Sequence, residues 1–335
     1  MQVKDANHPV DLSIIIVNWK SVPYLCQCLR SIHANQGKLE CEILVVDNAS
    51  GDDCCEVLGQ EFPLVQCICS SVNLGFAAAN NLGFAHSHGR NALFLNPDTE
   101  VTAGSLQFLV STLEAQPDAG IVGARLLNSD LTLQTSCVQS FPTILNQMLD
   151  ADALRDTFPS SRLWGTRALF KPASGPARVD AVSGACLMVR REIFKRVGGF
   201  NTQYFMYSED VDLCWRIRKA GWSAYYVASA TVIHHGGRSS MKEPQDGFAV
   251  VLMRESRMRL LDSWRGAAYA ATYRATTALA AILRLAVLWA LIVVVRSRDR
   301  RKTLHNSADK WIKVLRWTLG LEPWAKELCV QEERA

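Results

Sequence analysis

The sequence predicts an α/β protein, with a mostly parallel sheet covered by helices on both faces and a helical region after it. Three observations predict this. Short apolar runs without alternation are separated by segments of helical period. Polar clusters recur at the ends of those runs. Beyond residue 245 the chain turns basic and helical. An uninterrupted apolar strand must be covered on both faces, which is the condition of a parallel sheet.

The elements follow in order. Leu12–Val17 is β-branched and apolar, a first strand, and Tyr24–Ala34 carries Leu25, Cys28, Leu29 and Ile32 on one helical face. Glu42–Val46 is a second strand, closed by Asp47-Asn48-Ala49-Ser50-Gly51-Asp52-Asp53, with a helix reaching about Gln60. Val65–Cys69 is a third strand and residues 75–88 a helix. Ala92–Leu95 is a fourth strand, ending in Asn96-Pro97-Asp98. A helix over Gly104–Ala115 and a strand over Gly120–Ala124 come next. Residues 125–178, with Pro142, Pro159, Pro172 and Pro176, predict a loop or small excursion. Val179–Arg190 reads as one strand, Arg191–Val197 as a short helix stopped by Gly198-Gly199, Glu209–Ala220 as a helix and Ala224–His234 as a strand.

Composition narrows the classes. A chain of 335 residues has room for one large core or two modest ones. Its eleven cysteines form no CxxC pair and have no zinc-finger partners, so they are expected to be buried, reduced thiols of a cytoplasmic protein. Residues 1–11 are polar, so no signal peptide is expected. Before Arg254 stand 20 basic and 24 acidic residues, against 14 and 4 from Arg254 to Arg316. That basic stretch encloses Ala278–Val295, apolar except for Arg284 and long enough to span a bilayer. Both flanks are basic, so a clean span would set one of them outside, against the usual charge rule. The expectation is an interfacial helix or a re-entrant pair at the inner membrane surface. The alternative is a core helix packed on the catalytic domain or on a second copy in a homo-oligomer. Aliphatic residues between the charges exclude nucleic acid.

In such sheets ligands bind where strands end. Asn18, Asp47, Asn73 and Asp98 each follow a strand. Asp47 can accept from a base or ribose, while Ser50 or Asp52 can equally cap a helix. Asn73 with Gly75 suits a sugar or base edge, or a turn into the next helix. Asp98 offers a hard oxygen for Mg2+ or Mn2+, or completes a Pro-Asp turn. His234 or His235 can ligate a metal, and Arg238 can hold phosphate. Glu209, Asp210 and Asp212 crowd one helix start. Caps account for one or two of them; three repel unless a cation or donor engages them. A base for an acceptor hydroxyl is a carboxylate or His in reach of it.

The ordered set resembles glycosyltransferase family two, of GT-A fold, in its rhamnosyltransferase-like branch. The matching stretches are Ile15-Ile16-Val17-Asn18-Trp19, Val45-Val46-Asp47-Asn48-Ala49-Ser50, Asn73-Leu74-Gly75-Phe76-Ala77, Asn96-Pro97-Asp98, Ser183-Gly184-Ala185, Gly198-Gly199-Phe200, Glu209-Asp210-Val211-Asp212-Leu213 and His234-His235-Gly236-Gly237. The resemblance implies a GT-A catalytic domain over 10–245; residues 246–335, beyond the matching stretches, are read from their composition as a basic helical, membrane-associating region. It implies an inverting enzyme that moves rhamnose or another hexose from a nucleoside-diphosphate sugar to a glycan or lipid-linked glycan. Asn18, Asp47, Asn48, Asn73, Gly75, Asn96 and Asp98 would bind the nucleotide sugar, with Asp98 and His234 holding Mg2+ or Mn2+. Asn96 stands where the family's usual Asp-x-Asp has its first carboxylate. Asp210 would be the base with Glu209 beside it, and Gly184, Ala185, Trp215 and Arg216 would meet the acceptor. A second reading is a catalytically weak glycan-binding or scaffold protein on this fold. A nucleotidyltransferase would want a glycine-rich basic phosphate loop, and Asn18-Trp19-Lys20 is not one.

Overall fold

The computed structural model describes residues 10–149, 154, 157–170, 175–236 and 247–330. Pro172 and the motif residues Gly237, Arg238 and Ser239 lie outside the described residues. Packing divides the chain into two compact units. The first comprises Met1–Phe141, Phe158–Thr202 and Glu209–Lys242, and the second Pro142–Thr157, Gln203–Ser208 and Glu243–Ala335.

In the first unit the strands are β1 (Leu12–Asn18), β2 (Cys41–Asp47), β3 (Gln66–Cys69), β4 (Asn91–Leu95), β5 (Thr99–Val101) and β6 (Ala119–Leu127). They continue with β7 (Val138–Gln139), β8 (Ala177–Val179), β9 (Ala181–Val182), β10 (Cys186–Arg190) and β11 (Ser223–His234). The main sheet runs β3-β2-β1-β4-β10-β6-β11-β5, with β8 also on β11, while β7 and β9 form a separate pair. Helices α1 (Val22–Asn35), α2 (Cys54–Glu61), α3 (Gly75–Ala85) and α4 (Ser105–Ala115) link the early strands. The α/β class and the mostly parallel sheet hold.

Both faces of β1 are covered, as its unbroken apolar run requires. Leu12, Ile14 and Ile16 share a core with Leu25, Cys28, Leu29 and Ile32 of α1. Ile15 points the other way, toward α3, where Gly83 makes room: a Cβ there would lie 2.6 Å from the Ile15 Cγ2. Each such side chain, once buried, contributes about 1.5–3 kcal/mol. Pro23 fits the first turn of α1, where a missing N–H costs nothing.

Two expectations are corrected. Val179–Arg190 is not one strand but parts of β8, β9 and β10, because Ser183-Gly184-Ala185 turns the chain. The antiparallel members of the mostly parallel sheet are β10, against β4 and β6, and β5 and β8, against β11. Not all cysteines are reduced, since Cys55 of α2 and Cys67 of β3 form a disulfide. The thiols of Cys28, Cys186 and Cys214 are buried as expected, and burial pushes each up to about 12.

The second unit is helical. Its long helices are Phe248–Arg265, Ala267–Val294 and Arg298–Thr318, followed by Trp324–Val330. Val251, Leu261, Tyr273, Trp317 and Ala325 form its core. Within it the Trp317 indole N–H donates to Glu255 at 3.0 Å, and Arg259 lies 3.2 Å from the same carboxylate. Ala267–Val294 packs along Arg298–Thr318 and Phe248–Arg265, and its buried residues are Ala270, Tyr273, Thr277, Ala281, Leu285 and Ile292. Much of its remaining surface is apolar and exposed, including Ile282, Leu283, Val287, Val293 and Val294. It is long and apolar enough to cross a membrane, with 17% of its most apolar window buried.

Candidate active site

Parallel register carries Asn18 of β1 beside Asp47 of β2 at the carboxyl end of the sheet. Asn18 is fully buried. Its amide donates to Ser50 Oγ and Asp52 Oδ1 at 3.1 Å each and lies 3.5 Å from Asp47 Oδ1, while its own oxygen accepts from Ser21. Ser50 donates to both carboxylates. Asn18 therefore ties the Asp47–Asp52 loop together from beneath. Capping by Ser50 or Asp52 does not occur: α2 starts after Asp53, with no side-chain cap.

The next cluster is interlocked in the same way. Asn48, buried, donates to Asn73 Oδ1 at 3.0 Å and to the Gly75 carbonyl at 3.2 Å, and accepts from the Leu74 N–H at 2.8 Å. Asn73 is exposed. Gly75 opens α3 at φ +74°, a left-handed conformation that glycine adopts without strain. The Phe76 ring then reaches across to Gly184, 3.5 Å from where a Cβ would stand.

Asp98 is 1% exposed, in the turn between β4 and β5. Its Oδ1 lies 3.4 Å from His234 Nε2, at the end of β11. His234 Nδ1 donates to Gln134 Oε1 at 2.7 Å, which fixes the tautomer and leaves the Nε2 lone pair toward Asp98. Asn96 Nδ2 stands 3.3 Å from the same nitrogen. A carboxylate oxygen and an imidazole nitrogen 3.4 Å apart can both ligate one cation. Neighbouring ligands of a cation with bonds of about 2.0–2.2 Å stand roughly 3 Å apart, so these residues fit a divalent metal. His235 is engaged elsewhere, with Ser129 and Glu100 at 2.8 Å each.

Tyr207 and Ser208 both sit at φ 72°, a costly conformation for residues with a Cβ, just before the acidic helix Glu209–Lys219. The three acids there have different surroundings. Glu209 is buried. Asp210 accepts from the Gly184 N–H at 2.9 Å and from the Val211 N–H at 2.7 Å. Asp212, also buried, pairs with Arg216 at 2.7 Å, one helical turn on. Arg216 also donates to the Val197 carbonyl at 2.7 Å, and Trp215 packs edge-on against Phe141, centroids 5.1 Å apart. Arg216 and Trp215 are thus both held by this unit's own packing.

These contacts form a continuous path. Asp210 meets the Gly184 amide, and the Ala185 carbonyl accepts from the Asn96 N–H at 3.0 Å. Asn96 meets His234, which faces Asp98. The acidic helix start and the Asp98–His234 pair are therefore neighbours on one rim of the sheet. Gln134 and the Phe76 ring were not foreseen. Gln134 lies in the irregular stretch after β6 and belongs to no motif. Phe76 reads as a core aromatic. The Gly198-Gly199-Phe200 motif proves structural: Asn81 bonds both the N–H and the carbonyl of Phe200, and Phe200 packs on Phe94 and Phe194.

Comparison with known proteins shows the family and the fold. Residues 13–198 match the model of glycosyl transferase family 2, and residues 167–235 that of the N-terminal domain of galactosyltransferase. The N-acetylglucosaminyl-diphospho-decaprenol L-rhamnosyltransferase of Mycobacterium tuberculosis is 32% identical over 253 residues, covering 71% of this chain and 80% of its own. The Escherichia coli rhamnosyltransferase WbbL is 27% identical, over 66% of this chain and 82% of its own. Among solved structures, the mannosyltransferase PcManGT of Pyrobaculum calidifontis, in complex with GDP-Man and Mn2+, superimposes with a TM-score of 0.54. It is 14% identical, covers 95% of this chain and 88% of its own, and so shares the fold. Family model, relatives and fold agree: this chain belongs to glycosyl transferase family 2, is rhamnosyltransferase-like in sequence, and is a glycosyltransferase of GT-A fold.

Proposed function

We propose that the chain is an inverting transferase that moves rhamnose or another hexose from a nucleoside-diphosphate sugar to a lipid-linked glycan in cell-surface polysaccharide synthesis. The observation that carries this reading is the path Asp210–Gly184–Ala185–Asn96–His234–Asp98, which sets a candidate base beside a candidate metal pair. The Mycobacterium tuberculosis relative, whose name specifies a lipid-linked sugar, suggests the acceptor class.

Asp210 takes the proton of the acceptor hydroxyl, whose oxygen attacks the anomeric carbon. The bond from that carbon to the diphosphate oxygen breaks, and the nucleoside diphosphate leaves with its electron pair. One displacement inverts the anomeric configuration. Glu209 orients the acceptor, and Gly184, Ala185, Trp215 and Arg216 border its site. Asp47, Asn48, Asn73, Gly75 and Asn96 line the donor side, with Asn18 holding Asp47. Asp98 and His234 would hold Mg2+ or Mn2+, which when bound supplies positive charge for the departing diphosphate.

Residues 10–245 form the catalytic domain and 246–335 the membrane-associating region of this reading. The exposed apolar face of Ala267–Val294, followed by Arg296, Arg298, Arg300, Arg301 and Lys302, suits the anionic inner surface of the cell membrane. A panel of nucleotide sugars, offered with an N-acetylglucosaminyl-diphospho-polyprenol, tests the activity. One donor should yield a metal-dependent, anomerically inverted lipid-linked disaccharide. Failure of every donor in both transfer and hydrolysis favours the scaffold reading. Vesicle flotation at moderate salt tests the membrane contact, and protein that stays at the bottom with anionic vesicles refutes it.

A further inference from the structure

Three sulfurs meet at the sheet edge, apart from the carboxylates and the histidine described above. Cys55 lies in the first turn of α2, and Cys67 and Cys69 lie two apart on β3, on one face of the strand. One Sγ from each lies within 4.8 Å of the other two. Cys55 and Cys67 share the disulfide, and Cys69 is an exposed thiol beside it.

We propose that Cys55, Cys67 and Cys69, once the disulfide is reduced, form a three-thiolate site for one thiophilic cation of the Zn2+ or Cu+ class. Reduction takes two electrons and two protons from a dithiol reductant, which leaves as its own disulfide. The cation then displaces the three thiol protons to solvent. Sulfurs bound to Zn2+ at about 2.3 Å stand roughly 3.8 Å apart, so the trio needs only small side-chain adjustments. Thiolates select soft cations, whereas the carboxylate of Asp98 suits Mg2+ or Mn2+, so the two sites differ in chemistry. Three protein ligands leave one position for water.

The placement gives the site a use. Cys69 is the register partner of Asp47, and the Ser70 N–H donates to the Asp47 carbonyl at 2.8 Å. The α2 helix that carries Cys55 begins directly after the loop from Asp47 to Asp53. A bound cation would therefore brace that loop at both of its ends.

The full chain is reduced with dithiothreitol, freed of reductant and metal, mixed with excess Zn2+ and passed through a desalting column. The wild type should retain one equivalent of zinc more than Cys69→Ser. Zinc should also shield three thiols from a chromogenic disulfide reagent. Cys67→Ser, the second variant, should lose the same equivalent, as should the oxidised wild type. Equal zinc in wild type and Cys69→Ser, or unchanged thiol reactivity on loading, overturns the proposal. Neither readout involves sugar transfer.

Discussion

The Gly184 N–H donates to Asp210 Oδ2 at 2.9 Å. Because the donor is backbone, the carboxylate is held by the turn itself and not by a side chain that could swing away. The Val211 N–H holds the other oxygen at 2.7 Å, so the rotamer is fixed before any acceptor arrives. Preorganisation of this kind is what proton transfer in a single displacement requires.

Asp210→Asn keeps an amide oxygen for one of those donors and should fold normally. It cannot take a proton. Turnover should fall roughly 10²–10⁴-fold, the usual contribution of a positioned base. Nucleoside-diphosphate binding, measured by calorimetry, should stay near wild type. Near-normal turnover would remove Asp210 from the mechanism.

Gln134→Leu leaves His234 in place but removes the acceptor that fixes its tautomer. Loss of such an outer partner typically costs about 10–100-fold in metal affinity. The Mn2+ concentration for half-maximal activity should rise by that factor, with activity recovering at high Mn2+. An unchanged Mn2+ dependence would show that the Gln134 contact does not support a metal site.

Asp212→Ala takes the carboxylate partner from Arg216, whose guanidinium is a quarter exposed, and leaves it the Val197 carbonyl. The loss should be about 2–3 kcal/mol of stability, as for hydrogen bonds to charged groups. Urea denaturation measures it. Turnover below the new melting temperature should fall far less than in Asp210→Asn, which separates Asp212 from Asp210, two residues away. A large fall in turnover at unchanged stability would contradict this division.

Glu42 sits at the opposite end of β2 from Asp47. Burial pushes its carboxyl up, but donors from Ser13 and the backbone N–H groups of His88 and Gly89 outweigh that and leave it below its ordinary value. A carboxyl lowered by folding contributes stability that is present above the unfolded value, near 4.5, and lost as pH falls through the lower folded value. Wild-type stability should therefore decline on acidification below about pH 4.5. In Glu42→Gln that part of the slope should vanish; an identical acid profile in the two proteins would exclude Glu42 as its source.

Much of the fold is legible because β1, β2 and β4 are continuous apolar runs, and only a strand covered on both faces needs that pattern. The direction of β10 is not legible, since Cys186–Arg190 would read the same run either way. The Cys55–Cys67 pairing depends on where α2 lands beside β3, which twelve positions of sequence do not determine. The Asp212–Arg216 pair is legible in its spacing of four, which sets the two side chains on one helical face. Gln134 left no trace, because a second partner to a histidine can come from anywhere that the chain returns to the rim. Asn18 was legible as a site residue, yet its burial gives it the work of shaping the loop under Asp47.

The reversal of β10 has a consequence for the chemistry of the rim. Where β1, β2 and β4 finish, the backbone carbonyls of Asn18 and Asp47 are taken by the N–H groups of Asn48 and Ser70, and the side chains of Asn18, Asp47 and Asp98 bring further acceptors to the edge. β10 runs the other way, so the turn that leads into it, Ser183-Gly184-Ala185, arrives at the same edge and brings amide hydrogens with it. One of these, from Gly184, meets the carboxylate of Asp210. A wholly parallel sheet would have offered no strand beginning there. The polarity of a single strand thus lets a rim of acceptors seat an acid through a donor of its own backbone.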